Sequence, residues 1–336
     1  MALQTSTSTA GVRADVLSVR DLRVYYHTPR GAVRAVDGVT FDIKAGERLG
    51  LVGESGSGKT TIALALMQLI RPPGKIEGGE VLVDGTDLLK LNDEQMRQRR
   101  LAVIAMVAQG AMNSLNPVIR VRDQIVDALR DHGLRLSKGE LASRIADLLQ
   151  RVGLGPHVAD MHPHELSGGM KQRVCIAIAI SMSPKVIIAD EPTSALDVVV
   201  QRQVMETLRN VQLDLGAAVI LVGHDMGLMA QAVDRLGVMY AGTLAELCEV
   251  RAIFEDPLHP YSQLLIASLP SLDKKGVFQG IPGLPPSLLN KPKGCPFRPR
   301  CPKAFAKCED VEPVLTEVRP GRWVSCHLYD SDGVPA

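Results

Sequence analysis

Gly53-Glu54-Ser55-Gly56-Ser57-Gly58-Lys59-Thr60 is the stretch that decides the fold. The octet matches G-x-x-x-x-G-K-[ST], and its flanks agree with that reading. An apolar strand, ERLGLV, enters it, and a helix, TIALALMQLI, leaves it at Thr61. Glycines let the backbone wrap so that successive N–H groups point at phosphate oxygens. The helix start adds its positive end. Lys59 is placed to reach the β- and γ-phosphates of a nucleotide, and Thr60 to ligate Mg²⁺. The plainer reading, a Gly/Ser-rich linker, does not account for the strand and helix on either side.

Outward from the loop, the chain alternates strands and helices. LSVRDLRVYY and AVDGVTFDI alternate with period two, as antiparallel strands do, and GGEVLVDGTDL is a strand ending in an Asp-Gly turn. VRDQIVDALRDHG and SKGELASRIADLLQRVGL have helical periodicity, with Ser137 and Glu140 spaced as a capping box. SGGMKQRVCIAIAIS is a further helix. KVIIAD and AAVILVGHD are short buried strands separated by a helical stretch, VVVQRQVMETLRNVQLDLG. Strands alternating with helices indicate an α/β fold with a parallel sheet and crossover helices. Asp190 ends KVIIAD, where a carboxylate faces the nucleotide crevice and can join the Mg²⁺ shell. Glu191 follows and is placed to orient or deprotonate an attacking water. The competing reading is that both merely cap a helix EPTSALD.

The 336 residues allow one large domain or two ordinary ones. A formal charge of +1 argues against a nucleic-acid-binding surface. An apolar fraction of 46% suffices for a large core and excludes disorder throughout. A membrane span needs about 18 apolar residues, and no run approaches that length. The N-terminus lacks the layout of a secretory signal, so the chain reads as cytosolic. Residues 1–14 are small and polar and read as a disordered arm. Four of six cysteines and 13 of 21 prolines fall in residues 257–336, which marks that segment as a separate extension.

Ser167, Gly168 and Gly169 open a helix and form a second anion cradle of exposed N–H groups and a small hydroxyl. A second phosphate site on a chain with one phosphate loop fits two such chains facing each other. Here the sequence resembles the ATP-binding-cassette (ABC) ATPases, whose signature is LSGGQ; Met170 stands at the Gln position. The resemblance implies a P-loop NTPase with a RecA-like core, an antiparallel β subdomain and a helical subdomain at about 110–182 carrying the signature. The cassette would span 15–256. It also assigns roles by position: Tyr26 as the adenine-stacking aromatic, beside Tyr25; Gln109 as the Q-loop glutamine, a catalytic residue and Mg²⁺ ligand; Asp197 in the D-loop; His224 as the switch histidine on the γ-phosphate. Ser167, Gly168 and Gly169 would contact the partner's ATP.

Within that superfamily, GAVRAVDGVTF, SLNPV, SGGMKQR, MYAG, IFEDPLHPYSQLL, IPGLPP and GCPFRPRC resemble the ATPase subunits of oligopeptide/dipeptide importers. What this implies is ATP hydrolysis at the cytoplasmic face of a membrane, driving import of peptides. The partners would be a second ABC ATPase subunit (a paralogue before a second copy), two integral-membrane permeases and an extracytoplasmic substrate-binding protein. Nickel and oligosaccharide importers share these motifs. A soluble ABC ATPase of DNA repair or translation is the reading from another class. Ala108-Gln109-Gly110-Ala111 departs from the usual Phe-Gln-Asp-Pro.

Cys295, Cys301, Cys308 and Cys326 are spaced C-x₅-C-x₆-C-x₁₇-C among prolines, which forbid helix and let thiolates converge without a large core. Four thiolates suit Zn²⁺ or a [4Fe–4S] cluster, although the tight C-x₂₋₄-C pairs common in zinc sites are missing. His327 is a fifth candidate ligand. The resemblance associates the pattern with a [4Fe–4S] cluster; zinc or free thiols are the alternatives. Cys175 reads as a helix-face core residue and Cys248 as structural.

Overall fold

The computed structural model describes residues 15–110, 113–269 and 280–329; the arm at 1–14 lies outside them. Two long strands, β1 (Asp15–Thr28) and β2 (Gly31–Lys44), form a hairpin. Next, β3 (Arg48–Val52) runs into the glycine loop, and α1 (Lys59–Leu66) leaves it. The chain returns through β4 (Gly74–Val83) and β5 (Thr86–Asp87), then α2 (Asp93–Arg99) and β6 (Ile104–Val107). Three helices follow: α3 (Val121–Asp131), α4 (Lys138–Arg151) and α5 (Gly168–Ala179). Strand β7 (Val186–Asp190), α6 (Val198–Leu215), β8 (Ala218–Val222), α7 (Met226–Ala232), β9 (Arg235–Tyr240) and β10 (Thr243–Glu249) come next. Last are α8 (Val250–Glu255), α9 (Pro260–Ala267), α10 (Lys307–Asp310), β11 (Thr316–Arg319) and β12 (Arg322–Val324).

Two sheets result. One is antiparallel, in the order β2-β1-β4-β5. The other runs β11-β12-β10-β9-β3-β8-β7-β6, with parallel pairing from β9 through β6 and antiparallel pairing at the β10–β12 edge. This is the α/β P-loop arrangement expected from the glycine loop. Strands β7 and β8 are buried at every residue, as strands covered on both faces must be. Their alternation divides two cores. Val186, Ile188, Ile220 and Val222 pack with the antiparallel sheet and α1. Ile187, Ala189, Val219 and Leu221 pack with the helices on the other face. The capping box at α4 is present: the Glu140 N–H donates to Ser137 Oγ (3.4 Å), and the Ser137 N–H donates to Glu140 Oε2 (2.8 Å).

The Pro/Cys-rich extension departs from the expectation of a segment without a core. Phe297 and Val324 in it are buried, with 1% and 0% exposure. Its TEVRPGRWV stretch is a hairpin, β11–β12, that pairs with β10 and so lengthens the cassette's own sheet. Pro320-Gly321, with Gly321 at φ 72°, makes the turn, a signal that the surrounding proline density obscured. The extension is also locked through a buried carboxylate. Glu246 of β10 is fully buried and accepts the N–H groups of Leu258 and His259 at 2.9 Å each, and Arg322 Nη2 of β12 lies 3.5 Å away. Burial pushes this carboxyl up from its ordinary range. Removing the carboxylate leaves the buried Leu258 and His259 N–H groups without their acceptor, while Arg322 keeps Asp256 at 2.7 Å. Glu246→Ala should therefore cost about 2–4 kcal/mol of unfolding free energy, the scale of two buried donors left unsatisfied, and Glu246→Gln, which keeps an acceptor oxygen, distinctly less. Urea unfolding of the full chain measures both. An alanine variant within the error of wild type would show that the carboxylate does not hold the extension.

Candidate functional site

Strand β3 lies inside the sheet between β8 and β9, so its carboxyl end opens into the crevice where α/β sheets bind ligands. The turn that follows needs glycine. Gly53 has φ 147° and Gly58 φ 106°, where L side chains are strained. A Cβ on Gly53 would lie 2.2 Å from the Met239 carbonyl oxygen, and one on Gly58 2.2 Å from that of Ala35. Helix α1 starts at Lys59 without a side-chain cap, which leaves its first N–H groups available to an anion. Lys59 Nζ donates to the carbonyls of Gly53 (2.9 Å) and Glu54 (3.0 Å). Burial pushes the Lys59 ammonium down, against the pull of Glu191, Asp190 and Glu54. Ser57 is buried beside it, Ser55 and Gly56 are exposed at the loop's tip, and Thr61 is half-buried on α1.

Three neighbouring parallel strands bring the remaining groups to the same edge. Strand β7 ends on Asp190, β6 ends two residues before Gln109, and β8 ends two residues before His224. Thr60 Oγ1 donates to Asp190 Oδ1 at 3.2 Å. Gln109 Nε2 donates to Glu191 Oε2 at 2.8 Å, and His224 Nδ1 lies 3.7 Å from Glu191 Oε1. Glu191 sits in the left-handed region, φ 46°, which is uncommon outside glycine and turns the chain sharply at the strand end. Residues 191–195 form a bend and turns, and 196–197 carry no helix, so EPTSALD is not a helix and neither acid caps one. Asp190 is 1% exposed, and its Oδ2 is buried without a partner. Burial pushes this carboxyl up, against the Thr60 hydrogen bond, and nearby Glu191 adds to the rise. An orphaned carboxylate oxygen beside a threonine hydroxyl is a fitting donor pair for a hard cation such as Mg²⁺.

The second cradle lies apart from this set. Ser167 caps α5, accepting the Met170 N–H at 3.3 Å, and is itself exposed. Gly168 follows it, and Gly169 is buried where a Cβ would meet Val200 Cγ1 at 2.4 Å. Asp197 caps α6 through the Val200 N–H at 3.0 Å. Among the described residues, no hydrogen bond links Ser167, Gly168 or Gly169 to the phosphate loop. The two tyrosines differ in their engagement. Tyr25 donates its hydroxyl to Asp37 at 2.6 Å under the Arg34 guanidinium, whereas Tyr26 packs on Gly74 and makes no such bond.

Cys295, Cys301, Cys308 and Cys326 line one small pocket, together with Phe297, Phe305 and His259. All are free thiols, and burial pushes Cys295 up to about 11 and Cys326 up to about 12. The donor set suits a thiolate-bound group in kind. Among the described residues, however, no three His, Cys, Asp or Glu side chains are arranged to hold a metal ion. His327 Nε2 is bonded to the Val311 carbonyl (2.8 Å). Cys248 is fully buried, and Cys175 is half-buried on α5 with Ser114 as its partner. Sequence spacing missed the groups holding the loop from behind: Arg300 and Tyr261, both on Glu54 and both more than 200 residues away.

Comparison with known proteins agrees with this geometry. Residues 36–194 match the family described as ABC transporter, and residues 245–308 match the oligopeptide/dipeptide transporter C-terminal region. The chain is 44% identical over 315 residues to the oligopeptide transport ATP-binding protein OppD of Escherichia coli, covering 93% of this chain and 92% of that one. It is 42% identical over 320 residues to the dipeptide transport ATP-binding protein DppD of Bacillus subtilis, covering 94% and 95%. Among solved structures, the dimeric bacterial ABC transporter cassette MJ0796 superposes with a TM-score of 0.62 at 28% identity, over 70% of this chain and 99% of the cassette. CbiO1 of Clostridium perfringens, part of the ABC transporter complex cbiONQ, gives 0.63 at 28%, over 72% and 91%. With its phosphate loop, strand-end carboxylates and C-terminal region all matched, the chain belongs to the ABC transporter family, on the branch of the oligopeptide and dipeptide transport ATP-binding proteins.

Proposed function

We propose that this chain binds and hydrolyses ATP to drive import of peptides through a membrane transporter whose pore is built by other subunits. The observation that carries the reading is the junction of Thr60 with Asp190 and of Gln109 and His224 with the two oxygens of Glu191. The relatives' names supply the substrate class. No helix among the described residues is long and apolar enough to cross a membrane, which accords with separate permease partners and a peripheral position at the cytoplasmic face.

In this reading, the loop's N–H groups and Lys59 bind the polyphosphate and stabilise charge on the transferred phosphoryl group. Thr60, Asp190 and Gln109 would hold Mg²⁺, which when bound would supply neutralisation of the phosphate oxygens. Glu191 takes the proton of the attacking water, and Gln109, donating to it at 2.8 Å, fixes the direction of its carboxylate. His224 has an exposed ring free to meet the γ-phosphate. Tyr26 stacks on the adenine. Ser167, Gly168 and Gly169, remote from this chain's own loop, serve the ATP of a second ATPase subunit, with Asp197 at the same junction. The dimeric relative cassette supports that arrangement. ATP then favours the closed pair and hydrolysis releases it, because the two states differ in phosphate contacts. The four cysteines would hold a [4Fe–4S] cluster, or Zn²⁺ in its place, as a cross-link of the extension; they line one pocket, and loading would require them to draw closer together.

Two outcomes are expected. Glu191→Gln should lower turnover in the assembled transporter by about 100-fold or more, the scale of a lost general base, while the variant still retains ATP. ATPase at the wild-type rate would remove Glu191 from that role. Anaerobic purification followed by metal and sulfide analysis should find iron and acid-labile sulfide in equal amounts. Zinc without iron would overturn the cluster.

A further inference from the structure

Glu54, the second residue of the phosphate loop, is held at three points. Its carbonyl accepts Lys59 Nζ at 3.0 Å. Its N–H donates to the Tyr261 hydroxyl at 3.0 Å. Its carboxylate receives both arms of Arg300, Nη1 to Oε2 at 2.7 Å and Nη2 to Oε1 at 2.9 Å. Two of these three holds come from beyond the cassette proper. Arg300 stands next to Cys301, and its side chain is only 3% exposed. Nε donates to the Pro282 carbonyl at 2.8 Å, Nη1 also reaches the Tyr240 hydroxyl at 3.3 Å, and the guanidinium lies over the Tyr240 ring. The fork is thus fixed before it meets Glu54.

The pattern G-x-x-x-x-G-K-[ST] does not call for an acid at its second position. A carboxylate there adds negative charge beside a loop built to receive a polyphosphate, and at partial burial such charges are weakly screened. It also sits next to the carbonyl that Lys59 contacts. A planar, permanently charged fork is the group that can grip both carboxylate oxygens and offset that charge together.

We propose that Arg300, with Tyr261, is a positioning residue for nucleotide binding. The extension fixes Glu54 and offsets its charge, which keeps the phosphate loop and Lys59 set for ATP. Neither residue touches substrate; both act through Glu54. This rests on the reading of the loop as the ATP site, and wild-type binding of Mg·ATP serves as its separate control. Absence of that binding would sink the ATP reading itself.

The test uses the full chain, with Mg·ATP titrated calorimetrically, KM and kcat measured in the assembled transporter, and thermal unfolding in parallel. Arg300→Met should raise Kd and KM roughly tenfold, equivalent to about 1.4 kcal/mol, with a much smaller change in kcat at saturation. Arg300→Lys, which keeps the charge but loses the fork, should fall between. Glu54→Gln combined with Arg300→Met should bind Mg·ATP more tightly than Arg300→Met alone. A lowered melting temperature with unchanged Kd in both Arg300 variants would make Arg300 a structural staple and overturn the proposal. Equal Kd for the double variant and Arg300→Met would overturn the charge offset. If Arg300→Met does not fold, Arg300→Lys decides: a severalfold rise in Kd supports positioning, and an unchanged Kd refutes it.

Discussion

Two carbonyl oxygens, that of Met239 at the end of β9 and that of Ala35 in β2, approach the phosphate loop so closely that a Cβ at Gly53 or Gly58 would lie 2.2 Å away. One carbonyl belongs to the parallel sheet and the other to the antiparallel sheet. The loop is therefore the place where the two layers meet, and it closes only with glycine at these two positions. Much else follows from that contact. Strand β3 must be interior so that its end faces the crevice. Its neighbours β8, β7 and β6 then deliver His224, Asp190 with Glu191, and Gln109 to the same edge. The two apolar cores on either face of β7 and β8 hold those strand ends in register.

The charges at this edge are arranged against burial. Lys59 is driven toward its neutral form by desolvation and Asp190 toward its protonated form. A bound polyphosphate opposes the first shift, and a hard cation on Asp190 Oδ2 opposes the second.

The strand-end cluster was legible in the sequence because its residues are tied to secondary structure. A loop motif between strand and helix, and carboxylates at the end of an apolar run, carry their geometry in their spacing. EPTSALD as turns instead of a helix was also consistent with its Pro192 and the cap at Asp197. The extension was far less legible. Its hairpin TEVRPGRWV has no partner strand nearby in sequence, since β10 lies about 70 residues earlier. Phe297 and Tyr261 look like isolated aromatics until they pack edge-on and tilted against Tyr240, with centroids 5.1 and 4.6 Å from its ring. Proline density marked the segment as irregular, and it is. Irregular backbone can still be buried when its polar groups find partners, as Glu246 provides for Leu258 and His259.

That burial gives the extension a route to the site. From Lys59 the contacts run through the Glu54 carbonyl and its carboxylate to Arg300, then by one peptide bond to Cys301 in the thiol pocket. A second route reaches the antiparallel sheet, where Lys291 Nζ donates to Asp37 at 3.3 Å and Asp37 accepts the Tyr25 hydroxyl beside Tyr26. The phosphate loop and the tyrosine pair are thus braced by the same segment. A brace that carries a buried, bidentate guanidinium resists displacement more than a surface ion pair does, since pulling it away strands a charge. The Pro/Cys-rich segment is in this sense part of the nucleotide site's wall, even though none of its residues belongs to a nucleotide-binding motif.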